Sequence, residues 1–297
     1  MFESQLRSNK ARTWFLLVMS VVLLGGAVGA AWALLGLDSS FLVLAGLLTI
    51  VAPWVLYYNS DKIVISATGA KDADMENFKQ LHNIVEEVCI ATNMPKPRLM
   101  YVNDEAPNAF ATGRNQDNAV VAVTTGLLQK MNREQLQAVI AHEISHIQNK
   151  DMLVSTLAAT ISGMIIMIAN IALRMSIFSR RGNSHPIIIV AALVGLIAAP
   201  IGAALLKAGI SRRREQLADY SAAKALRNPG AMRSALEVLQ EDHTSLKKVS
   251  LSTSHLWMDD PNPEGNKEAN WFHRLFATHP PLSERIAAMR ELEFKGL

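Results

Sequence analysis

The sequence predicts a mainly α, α+β fold: a multi-span membrane protein whose polar domain is interrupted by an apolar helical hairpin. Three observations predict it. Charges leave four long apolar gaps in the chain. The first polar stretch mixes a helical pattern with short strand-like runs. A well-capped helix then leads straight back into apolar sequence. The organisation that follows is an N-terminal pair of transmembrane helices over residues 1–60, a first polar part over 61–152, a second apolar pair over 153–206, and a second polar part over 207–297.

The gaps come first. No charged residue lies between Arg12 and Asp38, Asp38 and Asp61, Asp151 and Arg174, or His185 and Lys207. Each gap is long enough, at about 1.5 Å per helical residue, to cross a hydrocarbon core of roughly 30 Å. The first two lie back to back around "GLDSS", with Trp14, Trp32, Trp54, Tyr57 and Tyr58 near their ends like an interfacial belt. The first run is too long for a cleaved signal peptide, and a second span follows at once, so it reads as a retained anchor. Arg7, Lys10 and Arg12 precede it and its turn has no Lys or Arg, which puts the N-terminus and residues 61–151 in the cytoplasm. The second pair is rich in Gly, Ala and Ser, with Pro200 inside the last segment. Its connecting loop carries Arg174, Arg180 and Arg181, against the positive-inside rule if both segments span. Either the two span as a tightly packed pair, which is the expectation, or they pack as a partly buried hairpin.

Composition agrees with this. Half of the 297 residues are hydrophobic, and the mean hydropathy is +0.16, high for a soluble domain. A net charge of +3, dispersed and without a recognition motif, argues against nucleic acid as a partner. Cys89 is the single cysteine, so no internal disulfide forms. It sits on the apolar side of a predicted helix and reads as a small buried hydrophobe.

In the first polar part, "MENFKQLHNIVEEVCIATNM" has helical spacing. "KPRLMYVND", "NAFATGR" and "NAVVAVTTG" read as short strands. "MNREQLQAVIAHEISHIQ" reads as a helix with Asn132 and Gln135 forming a capping box. Its apolar face is Leu136, Val139, Ile140, Ile144 and Ile147. In the second part, "DDPNPEGNKEAN" (Asp259–Asn270) is a Pro/Gly-rich surface loop.

That capped helix carries the chemistry. His142 and His146 are four apart, so their imidazoles share one face, as two ligands of a tetrahedral Zn²⁺ must. Glu143 stands where a carboxylate reaches a metal-bound water rather than the metal. Zinc brings that water's pKa to near 7, and the carboxylate takes its proton as it attacks a carbonyl. A catalytic zinc takes a third protein ligand. The candidate is Glu215 in "SRRREQLADYSAAKAL", with Asp219 one turn on to accept the second N–H of a ligand histidine. A solvated Arg–Glu–Asp face is the competing reading, but the two polar helices flank the apolar pair. If both segments span, they return the chain to the membrane face it left, and the two helices meet.

"AHEISHIQNKD", "RRREQLADYSAAK", "PNAFATGR" and "ATHPPLSERI", in this order with the paired apolar segments, closely resemble the HtpX-type heat-shock membrane metalloproteases. These are bacterial relatives of the CAAX prenyl endopeptidase, and the likeness covers essentially the whole chain. The resemblance implies a zincin domain of gluzincin type holding one Zn²⁺ per chain. It implies an endopeptidase of the bacterial inner membrane with its site facing the cytoplasm, cutting misfolded or damaged membrane proteins and unfolded polypeptides in quality control. By match to the motifs, His142, His146 and Glu215 are metal ligands, Glu143 is the general base, and Asp219 supports a ligand histidine. The resemblance places Asn108 and Ala109 at the strand edge that receives extended substrate, with an ordinary turn and strand as the alternative. His279 is a candidate for stabilising the oxyanion, with a capping or structural histidine as its alternative. Arg212, Arg213 and Arg214 are expected among anionic headgroups at the end of the fourth segment, with a substrate-binding role as the alternative.

The competing class is a membrane-anchored chaperone or holdase without catalysis. The intact His, Glu, His, Glu and Asp set argues against it, since a binding module needs no general base. A transporter is excluded because no ionisable residue interrupts a span.

Overall fold

The computed structural model describes residues 39–149, 151–157, 212–247, 256–258 and 280–295, with scattered positions between 11 and 22. His279, most of the first, third and fourth apolar segments, the Arg-bearing loop between the last two, and the Asp259–Asn270 loop lie outside the described residues. Counted over the described residues alone, no helix is long and apolar enough to cross a membrane.

Helix α1 (Ser39–Thr68) starts in the second apolar segment and runs on past Asp61. Its last turns belong to the polar domain: Val64 and Thr68 are buried, and the Thr68 hydroxyl donates to the Val64 carbonyl at 2.9 Å. Then come β1 (Lys71–Asp72), α2 (Lys79–Thr92), β2 (Arg98–Val102), β3 (Ala109–Thr112), β4 (Val120–Thr124), α3 (Thr125–Lys130) and α4 (Arg133–Gln148). Residues 151–157 are helical. They are followed by α5 (Arg212–Leu226), α6 (Pro229–Glu241) and α7 (Leu282–Phe294). Each predicted strand forms at the core of its quoted stretch. The two-residue β1 was not predicted, being too short to show a period.

The sheet is mixed, in the order β1-β2-β4-β3. Strand β2 runs parallel to β4, and β3 pairs antiparallel to β4 with Ala109 opposite Val123 and Thr112 opposite Val120. This order leaves β3 at an edge. Both faces are covered. Leu99, Val121, Val123, Ala109 and Ala111 face the helical layer, and Met100, Val102, Val120, Ala122 and Phe110 face a second core with Val64 and Trp257. Burial on both faces is why "VVAVT" is continuously apolar rather than alternating. Gly113 ends the edge strand at φ +130, where a Cβ would stand 2.3 Å from the Asn118 carbonyl oxygen.

In the helical layer, α2 buries Leu81, Ile84, Val85, Val88 and Cys89 on one face, the three-and-four spacing of an amphipathic helix. Cys89 is buried, and burial pushes its thiol up. Helix α4 begins with the capping box: Asn132 Oδ1 accepts the Gln135 N–H and Gln135 Oε1 accepts the Asn132 N–H, both at 2.9 Å. It is surrounded by α2, α5, α6 and β3. All five of its predicted apolar-face residues are buried.

Candidate active site

Helix α4 presents His142, Glu143 and His146 toward the start of α5, which carries Glu215 and Asp219. The two imidazoles meet edge to face, with His146 Nε2 3.1 Å from His142 Nε2. The Glu215 carboxylate spans them, Oε2 lying 3.6 Å from His142 Nε2 and Oε1 3.6 Å from His146 Nε2. Zinc bonds of 2.0–2.2 Å in a tetrahedron separate donor atoms by about 3.3–3.6 Å. The three separations, 3.1, 3.6 and 3.6 Å, bracket that spacing, so the donors can close on a metal of this size with shifts of a few tenths of an ångström. Among the described residues they form the metal-sized group of His and carboxylate donors.

Each histidine is backed by a second carboxylate. Asp219 Oδ1 lies 2.9 Å from His142 Nδ1, and Asp151 Oδ2 lies 3.5 Å from His146 Nδ1. Such contacts fix which ring nitrogen carries the proton and turn Nε2 toward the centre. Asp219 is gripped by Arg285 of α7: Nε donates to Oδ2 at 2.8 Å and Nη2 to Oδ1 at 2.7 Å. Both side chains are shielded from solvent. Burial would raise the Asp219 carboxyl, but Arg285, helped by His142, holds it below its ordinary range. Burial likewise pulls His142 toward the neutral form. Without a metal, the Asp219 and Glu215 carboxylates outweigh this and push it up to about 9.

Glu143 is buried and lines one cavity with His142, His146, Asp151, Arg214, Glu215, Ala111 and Met258. The cavity holds about 30 Å³, space for a water or two. Asn108 and Ala109 are buried at the start of β3. The Asn108 side-chain oxygen accepts the Ala109 N–H at 3.1 Å. At the far end of the strand, the Thr112 and Thr156 hydroxyls share a buried hydrogen bond of 2.9 Å.

Residues 75–293 match the sequence profile of Peptidase family M48. The chain belongs to that family. This M48 peptidase is 38% identical over 300 residues to a protease HtpX homolog of Caldanaerobacter subterraneus subsp. tengcongensis, covering 98% of each chain. It is 37% identical to a protease HtpX homolog of Streptococcus gordonii, over 98% of this chain and 100% of that one. The crystal structure of S. mikatae Ste24p is a looser neighbour, with 18% identity and a TM-score of 0.48 over 92% of this chain and 62% of that chain. The M48 peptidase is thus a metalloprotease, as its sequence led us to expect.

One expectation is corrected. Arg214 does not reach out toward headgroups. It is buried at 5% exposure in the active-site wall, with Nη1 3.6 Å from Asp151. Its charge is drawn inward because Asp151 is itself buried beside His146. Sequence reasoning passed over Arg285 and Asp151, although both lie in quoted motifs. Their signal was an Arg and an Asp at the ends of "HPPLSER" and "HIQNKD", which only their partners make meaningful.

Proposed function

We propose that the chain is a membrane-embedded zinc endopeptidase that cleaves misfolded or damaged membrane proteins and other unfolded polypeptides at the cytoplasmic face of the bacterial inner membrane. The convergence of His142, His146 and Glu215, with donor atoms 3.1–3.6 Å apart, carries the reading. A Zn²⁺ held by these three supplies a Lewis acid that polarises a carbonyl and makes water acidic enough to lose a proton near neutrality. Glu143, in the same cavity, takes that proton as the peptide carbonyl is attacked and returns it to the departing amine. Asp219, held by Arg285, keeps His142 in the tautomer that offers Nε2 to the centre. Strand β3, with Asn108 and Ala109, receives the extended backbone. His279 is assigned to the oxyanion on the family resemblance alone.

Membrane attachment rests on α1 and on the charge-free segments. At about 1.5 Å per residue, the 30-residue helix is roughly 45 Å long. Val43, Leu47, Val51 and Val55, spaced four apart, are each more than half exposed. A stripe of this kind is costly in water and at ease in lipid. Tyr58 sits where the helix enters the polar domain, with Arg114 stacked over its ring at 5.5 Å. We assign residues 1–60 and 153–206 to the membrane, and 61–152 and 207–297 to one cytoplasmic zincin domain.

The test compares wild type with Glu143→Gln, both purified in detergent with chelator and given an unfolded protein with and without Zn²⁺. Fragments only from wild type with zinc support the reading. Zinc uptake and substrate binding by both proteins, with no cleavage by either, would replace it with the holdase.

A further inference from the structure

The free edge of β3 is occupied by the chain itself. The Thr124 N–H donates to the Asn108 carbonyl at 2.9 Å, so Asn108 faces β4. By the alternation of a strand, the next carbonyl, that of Ala109, faces away from β4. There the Met258 N–H donates to it at 2.9 Å. The Met258 carbonyl is held too, accepting from Arg285 Nη1 at 3.2 Å. One residue thus has both its main-chain groups bound, one by the edge strand and one by the guanidinium that grips Asp219. Peptides that recognise proteins by strand addition are held through main-chain groups in this way.

The position matters as much as the bonding. Leu256 and Met258 line the cavity that contains His142, Glu143 and His146, and the cavity they leave is about 30 Å³. Among the described residues that leaves room for water beside the histidines. Between them, Trp257 is fully buried and packs edge-on against Phe110 with ring centroids 4.8 Å apart. Its indole Nε1 has no hydrogen-bond partner among the described residues. The segment is seated by shape, with Trp257 and Leu256 in the core on one face of the sheet and Met258 in the core on the other.

We propose that Leu256–Met258 is an intramolecular pseudosubstrate, with Met258 in the place of a substrate residue, and that a polypeptide enters the site by displacing it. The proposal rests on the protease reading above. Displacement frees the Ala109 carbonyl to accept a substrate N–H and Arg285 to donate to the carbonyl of the same residue. Both contacts are to main chain, so the class recognised is an extended polypeptide of varied sequence. A folded protein, whose backbone groups are already paired, cannot make them. With Met258 seated, the Ala109 carbonyl is closed to substrate, and an unpaired substrate backbone is what displaces Met258.

The decisive experiment uses full-length, zinc-loaded Glu143→Gln in detergent, with and without unfolded casein, read by hydrogen exchange over Leu256–Met258. Casein binding should raise exchange at the Met258 amide by about threefold or more, because that amide loses its acceptor. Unchanged or slower exchange with casein bound makes the segment a permanent wall and overturns the proposal. In the active chain, Trp257→Ala should lower KM for casein by about threefold with kcat retained, since more molecules are open before substrate arrives. A raised KM at full zinc content overturns it. The exchange measurement leaves the segment unaltered, so it decides the question even where Trp257→Ala misfolds. Opening of the segment in Glu143→Gln, combined with no cleavage by zinc-loaded wild type, would sink the protease reading and leave the occlusion standing.

Discussion

Arg285 and Asp219, 66 residues apart in the chain, form a two-pronged ion pair closed off from solvent. It ties the last helix to the histidine helix, because Asp219 also lies 2.9 Å from His142. Removing one partner strands a buried charge. We predict that Arg285→Met costs about 3–5 kcal/mol of stability and lowers zinc affinity about 10–100-fold. Arg285→Lys restores the charge but not the fork, and should fall between the two. Thermal unfolding and zinc competition against a chromophoric chelator check both. Wild-type zinc affinity in folded Arg285→Met would remove Arg285 from the support of the metal site.

Glu215→Ala should lose its zinc, while Glu143→Gln should keep it and lose activity by about 10²–10⁴-fold. Metal analysis after dialysis separates the two. Equal zinc content in Glu215→Ala and wild type would exclude Glu215 as a ligand.

The raised pKa of His142, about 9 without metal, has opposite consequences for the empty and the loaded protein. A group raised above its ordinary 6.5 contributes stability that is fully present below pH 6.5 and lost as pH climbs through 9. The zinc-free protein should therefore lose thermal stability between pH 6.5 and 9. Zinc must displace that proton, so its affinity should rise about tenfold per pH unit over the same interval. Asp219→Asn removes a main cause of the shift and should flatten both dependences. Calorimetry and zinc titrations across this range check the signs.

A cysteine placed at Ser184, in a Cys89→Ala background, should be labelled from outside the cell by a membrane-impermeant reagent. Labelling only after permeabilisation would mean that the third and fourth apolar segments do not both span.

Much of the site was legible because its signals are local. The capping box of Asn132 and Gln135, the apolar spacing of α4, and the turn that sets His142 beside His146 all lie within one helix, where spacing converts directly into geometry. The strands were legible as short apolar runs bounded by turn residues. Arg214 was misread because sequence shows that a side chain is charged, not where it points. A buried carboxylate beside it, Asp151, reverses the default of facing water or headgroups.

By itself the sequence determined the family, the helix that carries His142, Glu143 and His146, the apolar segments, and Glu215 and Asp219 as their candidate partners. Each depends on the order of residues along a few turns. Only the tertiary structure decided that β3 stands at the sheet's edge, that Arg285 holds Asp219, and that Met258 lies against Ala109. These relations join residues scores of positions apart, and no local propensity records them. They exist because burial on both faces of the sheet brings α4, α5, α7 and the edge strand to one place. There every charge must find a partner or bear the cost of leaving water.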